Sequence, residues 1–268
     1  MIDERQGVVI SSEQLGQGDR PALAVHCMLG NARAWEPSFA LLEDRLSARV
    51  FDLPGHGRSG DWAYDETPGA FERLATQITA SFIDRPVDLI GHSFGSSVAL
   101  RLAVAAPHAI RSLTLIEPIL FAAIEGAPEY DAVAADQAAL SALLAAGQHE
   151  AAAKAFMAQW GAGVPWEALP EHQRIRFVAQ MPILGNAAAA NFSDPGNILR
   201  PDGIEEIDAP VLLVHGQETH PSVPLVCAEL AVRMQDVGTA TVPGAGHMLP
   251  LTHPESLADL IGVNLDRS

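Results

Sequence analysis

The chain has 268 residues, of which 48% are hydrophobic and 18% are charged, so it is long and apolar enough to bury a large core. It carries 33 acidic against 16 basic residues, which gives a formal net charge of −17. A surface this acidic repels phosphate backbones and anionic lipid headgroups, so nucleic acid and membrane surfaces are poor partners. Lys154 is the only lysine and no Gly-Lys-Ser/Thr triplet exists, which excludes a Walker phosphate-binding loop.

The cysteines and the N-terminal residues indicate the cellular compartment. Cys27 and Cys227 lie far apart and form no Cys-x-x-Cys motif, which favours reduced thiols, although a single disulfide stays open. Residues 1–5 carry charge and lack the apolar run of a secretory signal. No apolar stretch reaches the roughly 18 residues that span a bilayer. We therefore expect a soluble, cytoplasmic protein, whose oligomeric state the sequence does not predict.

Short apolar segments alternate with helical patterns at both ends of the chain. The predicted strands are 8–11, 22–26, 49–53, 87–90, 112–116, 211–215 and 239–242, and the predicted helices are 36–46, 70–83, 95–106, 224–235 and 254–265. Several of the strands are continuously apolar, a pattern typical of strands that are buried on both faces of a parallel sheet. The alternation predicts an α/β fold with a mostly parallel wound sheet and helices on both faces.

The middle of the chain, from about residue 119 to residue 199, shows no strand pattern and is rich in alanine. Prolines break its helical stretches at Pro165, Pro170, Pro182 and Pro195. We interpret this segment as an all-helical lid that is inserted between two strands, so residues 1–118 and 200–268 form the core. Its bulky apolar residues are candidates for lining a pocket, although apolar helix faces more often pack on a core. They are Phe156, Met157, Trp160, Trp166, Phe177, Met181 and Phe192.

The strongest local motif is Gly91-His92-Ser93-Phe94-Gly95, which stands between a predicted buried strand and a helix of small residues. A serine in a sharp strand-to-helix turn has a strained backbone, and glycines on both sides leave room where the turn folds against itself. Ser93 then projects from the sheet edge, and the N–H groups at the helix start face the same side. We interpret Ser93 as a nucleophile rather than as part of a structural turn.

Residues 55–60 also spell Gly-x-Gly-x-x-Gly, the fingerprint of a dinucleotide site. Such a site requires a helix that opens within the loop. Here Asp61, Trp62 and then Pro68 follow, and these residues favour a loop instead of a helix. We therefore predict no nucleotide and no other cofactor. No His-Glu-x-x-His or other metal-ligand spacing occurs either, so we predict no catalytic metal.

Four segments of the chain resemble those of the α/β-hydrolase fold enzymes. They are Ala24-Val25-His26-Cys27-Met28-Leu29-Gly30, Phe51-Asp52-Leu53-Pro54-Gly55-His56-Gly57-Arg58-Ser59, Gly91 to Gly95, and Pro243-Gly244-Ala245-Gly246-His247-Met248. They stand in the family's order, and the resemblance covers nearly the whole chain. It implies the α/β-hydrolase fold and a serine hydrolase with a catalytic triad.

The resemblance also implies the partners of Ser93. A serine hydroxyl is too weakly acidic to attack unaided, and the family places its histidine base where His247 stands. The backbone N–H groups of Met28 and Phe94 correspond to the oxyanion hole, which stabilises negative charge on the attacked carbonyl oxygen. His26 ends its strand and is interpreted as orienting that loop. Cys27 replaces a glycine that is common beside this histidine, and we interpret it as a small buried spacer.

The triad acid is where the sequence departs from the family's usual pattern. An aspartate usually follows the strand at 211–215, but Thr219 stands near that position and cannot supply a negative charge. Glu117 is a lone acid at the tip of an apolar strand, a place where some α/β-hydrolases carry their acid. A charged strand tip needs a partner, and His247 would supply one. We predict Glu117 as the acid and Glu218 as the alternative, and an absent acid stays open.

The predicted function is hydrolysis of an ester or thioester bond in a small, mostly apolar molecule, through an acyl-enzyme. A carbon–carbon bond hydrolase that acts on a β-diketone-type substrate uses the same triad and is the alternative enzyme. A slow-turnover ligand-binding receptor is the alternative from another class, favoured by Thr219 and disfavoured by Glu117. The only partner that we predict is a small-molecule substrate.

Overall fold

The computed structural model describes all 268 residues and contains eight strands. They are β1 (Ile2–Arg5), β2 (Val8–Leu15), β3 (Arg20–Val25), β4 (Leu46–Phe51), β5 (Val87–His92), β6 (Ile110–Ile116), β7 (Val211–Gly216) and β8 (Val237–Val242). They form one sheet in the order β1-β2-β4-β3-β5-β6-β7-β8. The pairs β1–β2 and β2–β4 are antiparallel and all the others are parallel. The predicted mostly parallel sheet is therefore confirmed.

Nine α-helices accompany the sheet. They are α1 (Glu36–Ala40), α2 (Ala70–Ala80), α3 (Phe94–Ala105), α4 (Pro128–Ala145), α5 (His149–Trp160), α6 (Glu171–Ser193), α7 (Ser222–Arg233), α8 (Leu249–Thr252) and α9 (Pro254–Leu265). The core side chains of α2, α3 and α7 belong to one apolar cluster, and those of α1 and α9 belong to another. Helices therefore cover both faces of the sheet. None of them combines the length and the apolar composition that a bilayer crossing requires.

The central strands are buried on both faces, as their continuous apolar runs predict. Every residue of β5 is buried, and Arg111 is the only partly exposed residue of β6. Because parallel strands end at the same edge, the segments after β3, β5, β6, β7 and β8 meet at the carboxyl edge of the sheet.

Helices α4, α5 and α6 lie in a helical insertion, residues 117–210, between β6 and β7. The insertion contains no strand, in agreement with the sequence pattern, but the predicted break at Pro182 is wrong, because α6 continues through it. A proline inside a helix costs about 3 kcal/mol. In α6, Met181, Leu184 and Ala187 are buried on one face, and this packing compensates for that cost.

Two other segments differ from the sequence prediction. The first helix ends at Ala40 instead of continuing to Leu46, because Leu46 begins β4 and its carbonyl accepts a hydrogen bond from Gly18 N–H. The edge strand β1 had no signal in the sequence, since its residues are exposed or only partly buried and show no apolar run. Both differences concern segments whose structure depends on a distant pairing partner.

Candidate active site

The turn at Ser93 places its hydroxyl at the carboxyl edge of the sheet. Ser93 has φ +55° and ψ −116°, a backbone conformation that is strained for a residue other than glycine. Glycines are required beside it, because a Cβ on Gly95 would lie 2.1 Å from the Val25 carbonyl oxygen, and one on Gly91 would lie 2.3 Å from the Gly95 oxygen. The Ser93 N–H donates to the Ile116 carbonyl at 2.9 Å, which fixes the turn against the end of β6.

Three predicted residues meet at this edge in a chain of hydrogen bonds. Ser93 Oγ lies 2.8 Å from His247 Nε2, and His247 Nδ1 lies 2.9 Å from Glu117 Oε2. Ser93 and His247 are each 6% exposed, and Glu117 is fully buried. They come from the β5–α3 turn, the loop between β8 and α8, and the end of β6. With the carboxylate as acceptor for Nδ1–H, the other ring nitrogen is free to accept the serine proton.

The Glu117 carboxylate accepts hydrogen bonds from two further groups. Gly216 N–H donates to Oε1 at 2.6 Å, and the Thr219 hydroxyl donates to Oε2. The Glu117 backbone has φ +53°, and its N–H donates to the Val214 carbonyl at 2.7 Å. The first residue after β6 is thus turned so that its side chain faces His247, with every carboxylate oxygen satisfied.

Thr219 therefore supports the Glu117 carboxylate, a contact that the sequence analysis missed. No local pattern indicates it, because Thr219 and Glu117 are 102 positions apart in the chain. The alternative acid, Glu218, is exposed and makes no hydrogen bond to His247. The structure thus brings Glu117 to the site and leaves Glu218 outside it.

The two predicted oxyanion donors come from two different segments of the chain. Phe94 is the first residue of α3, and Met28 lies in the loop after β3. Neither backbone N–H donates a hydrogen bond within the protein, so both are free to bind a developing oxyanion. Cys27, beside Met28, is a buried free thiol whose burial raises its pKa to about 12, and it is therefore protonated at neutral pH.

Ser93 and His247 line a cavity of about 470 Å³ that the helical insertion covers. Of its 22 lining residues, 15 are hydrophobic, which suits a mostly apolar ligand. Three of the bulky residues singled out in the sequence, Phe156, Trp160 and Phe192, line it, and the Trp160 ring packs edge-on at 4.8 Å from the His247 ring. Trp166 and Met181 are instead buried in the core, and Met157 and Phe177 line a neighbouring cavity.

Comparison with known proteins agrees with this fold, because residues 22–260 match the model of the alpha/beta hydrolase family. The chain belongs to this family. It is similar to the pimeloyl-(acyl-carrier protein) methyl ester esterase of Methylococcus capsulatus, at 28% identity over 93% of this chain and 95% of that one. It is also similar to the (E)-2-((N-methylformamido)methylene)succinate hydrolase of Acinetobacter baylyi, at 22% identity over 90% and 88%. The enol-lactonase of Burkholderia xenovorans LB400 shares the fold with a TM-score of 0.79 and 18% identity, over 99% and 100%. The protein is a hydrolase.

Two buried histidines hold the loop after β3, which carries Met28, in this alpha/beta hydrolase. His26 Nε2 accepts a hydrogen bond from Leu53 N–H at 3.0 Å, and His56 Nε2 accepts one from Leu29 N–H at 3.1 Å. The Nδ1 atoms lie 2.7 Å and 2.9 Å from the carbonyls of Cys27 and Pro54, to which they donate. Each ring therefore bridges the loop after β3 and the loop after β4. The structural role predicted for His26 fits this arrangement, but His56 was missed.

A third buried histidine holds the loop that carries His247. His92 Nε2–H donates to the His247 backbone carbonyl at 2.8 Å. Burial is the main cause that lowers the pKa of His92 to about 3, and it lowers the pKa of His26 to about 4 and that of His56 to about 3. All three rings are thus neutral near pH 7, which His26 and His56 require because their Nε2 atoms accept hydrogen bonds.

These three histidines make the hydrolase sensitive to acid. Their pKa values lie below the ordinary value of 6.5, so between about pH 6.5 and pH 4 the unfolded chain binds protons that the folded protein does not. The free energy of unfolding then falls as pH falls, by about 1.4 kcal/mol per pH unit for each histidine. We expect His56→Gln to reduce this slope by about that amount in urea unfolding measured from pH 4 to pH 7.

His108→Gln is the matched control, because His108 is exposed and should leave the slope unchanged. An unchanged slope in a folded His56→Gln variant would contradict the assignment of His56 as a buried neutral ring.

Proposed function

We propose that the protein cleaves an ester or thioester bond of a small, mostly apolar substrate through an acyl-enzyme on Ser93. The observation that supports this most strongly is the hydrogen-bonded chain from Ser93 through His247 to Glu117 at the end of an apolar cavity. A serine paired with a base that an acid orients is the arrangement that nucleophilic acyl transfer needs.

In the proposed mechanism, Ser93 Oγ attacks the carbonyl carbon while His247 Nε2 takes the hydroxyl proton. Glu117 stabilises the imidazolium that forms, and the N–H groups of Met28 and Phe94 donate to the oxyanion. Collapse of the tetrahedral intermediate breaks the bond to the leaving group, which receives the proton from His247. A water molecule, deprotonated by His247, then attacks the acyl-enzyme and releases the acid and free Ser93.

An ester is the favoured substrate for two reasons. The relative from Methylococcus capsulatus, which this chain matches over almost its full length, is named as a methyl ester esterase. The lining of the Ser93 cavity is mostly apolar, and this would retain an acyl chain and exclude water from the reaction.

Carbon–carbon bond hydrolysis is the second candidate, and one feature of the cavity favours it. His220 lines the cavity together with His247, and the Trp160 ring packs against both. The Nδ1 atom of His220 accepts a hydrogen bond from the Ser222 backbone N–H at 3.2 Å. In the neutral ring Nε2 therefore carries the proton and can donate a hydrogen bond to a second polar group of a diketone. The receptor alternative loses the feature that favoured it, because Thr219 supports the acid instead of marking its loss.

The role of the acid gives the first functional prediction. Glu117→Gln keeps the size of the side chain but removes the charge, so we expect kcat to fall on the order of 10⁴-fold, as in serine proteases that lose the corresponding charge. Glu218→Gln, which changes an exposed residue, should leave kcat unchanged. Both variants are measured on one activated ester, with circular dichroism as the check of folding. A large fall in kcat for Glu218→Gln, with no such fall for Glu117→Gln, would assign the role of the acid to Glu218.

The bond that is cleaved can be tested directly. We expect aliphatic esters to be hydrolysed with a higher kcat/KM than a 1,3-diketone of similar size, and we expect Ser93→Ala to lower kcat for the ester by roughly 10⁴-fold or more. The products, acid plus alcohol or acid plus ketone, are identified by mass spectrometry. A preference for the diketone would assign carbon–carbon hydrolysis, and saturable binding of both compounds without turnover would assign a receptor.

A further inference from the structure

A second cavity adjoins the Ser93 cavity. It also measures about 470 Å³ and has 18 lining residues. The two cavities share Met28, Phe156 and Trp160 as lining residues. Met28 carries one of the two proposed oxyanion donors, so the second cavity lies next to the place where the scissile carbonyl would bind.

The two cavities differ in charge. Asp136 is the only acidic residue that lines the Ser93 cavity, and no arginine or lysine does so. The second cavity is lined by Arg33 and Arg176 and by no acid. Such a concentration of positive charge is unusual in a chain of net charge −17. It favours a negatively charged ligand.

Arg176 is the residue that points most directly to a ligand. It is partly buried on α6 and forms no salt bridge, and its Nε is buried without a hydrogen-bond partner. Other partly buried arginines, such as Arg20 and Arg101, pair with buried carboxylates at 2.7 Å and 2.6 Å. Nε itself is closed off from the cavity, so an anion there would pair with the terminal nitrogens of the guanidinium, for which the protein supplies no carboxylate.

Neutral donors and a second guanidinium stand around the same space. Gln173 and Asn31 line the cavity, and the Asn31 side-chain oxygen Oδ1 accepts from the Arg33 backbone N–H at 3.1 Å, which leaves the side-chain NH₂ group of Asn31 as a donor. Arg33 contacts Glu36 only at 3.9 Å and both side chains are exposed, so this pair is weak and Arg33 is available to a ligand.

We propose that the second cavity binds a carboxylate group of the substrate, held by the Arg176 guanidinium with Arg33 at the rim. A single partly buried guanidinium with amide donors matches one carboxylate in charge and in fork geometry. The inference rests on the proposed hydrolysis at Ser93. The substrate is then an ester whose apolar arm occupies the Ser93 cavity and whose other arm ends in a carboxylate.

The test uses two matched pairs of esters, each with a neutral member and a member of equal length that ends in a carboxylate. The carboxylate stands on the acyl arm in one pair and on the alcohol arm in the other. In at least one of the two pairs, Arg176→Gln should lower the ratio of kcat/KM for the charged ester to kcat/KM for the neutral ester by at least about tenfold, mainly through a higher KM for the charged ester. Arg176→Lys, which keeps the charge, should restore part of the loss.

Arg174→Gln is the matched control, because Arg174 lies on the same helix and also has a buried, unpaired Nε but lines neither cavity. It should leave the ratio of charged to neutral ester unchanged. Equal effects of Arg176→Gln on the charged and neutral members of both pairs would overturn the proposal.

A binding measurement separates this proposal from the proposed reaction. Calorimetry with the Ser93→Ala variant gives the dissociation constant of each ester without turnover. Tighter binding of a charged ester that Arg176→Gln abolishes would support the carboxylate site even if the wild-type protein hydrolysed none of the esters, a result that would defeat only the proposed hydrolysis. Equal binding of charged and neutral esters would overturn the carboxylate site.

Discussion

The buried carboxylate of Glu117 is the constraint on which the rest of the site depends. A fully buried negative charge is tolerated only where hydrogen bonds and a partner compensate for lost hydration. Glu117 obtains this compensation from Gly216 N–H, the Thr219 hydroxyl and the His247 ring, which come from β7, the loop after it and the loop after β8. The strand order β6-β7-β8 brings these groups together, so the sheet topology and the position of the base are linked through one side chain.

Buried neutral histidines hold the loops of the site in place. His26 and His56 join the loops after β3 and β4, and His92 holds the loop of His247. His26 and His56 each accept a backbone N–H through Nε2, and protonation of that nitrogen would break the bond. Burial keeps these rings neutral, so the link between the loops after β3 and β4 stays in place near neutral pH. The polar framework at the sheet edge is therefore built from one compensated carboxylate and several uncharged rings.

Features with a local physical cause could be predicted from the sequence, and those that depend on distant partners could not. The turn at Ser93 requires glycines within two positions of the serine, and Glu117 is an acid that directly follows an apolar run. Both residues could therefore be predicted from the sequence. Thr219 and His56 act through residues on other loops, and no periodicity marks such contacts. The helix through Pro182 and the edge strand β1 likewise depend on packing or pairing that overrides the local pattern.

Covalent labelling tests whether His247 and Glu117 activate Ser93 as a nucleophile. A fluorophosphonate reacts with an activated serine, and mass spectrometry of the digested protein locates the adduct. We expect one adduct per chain, on Ser93, at a rate that falls when the charge of Glu117 is removed. An unlabelled protein, or a label on another residue while Ser93 stays free, would contradict it.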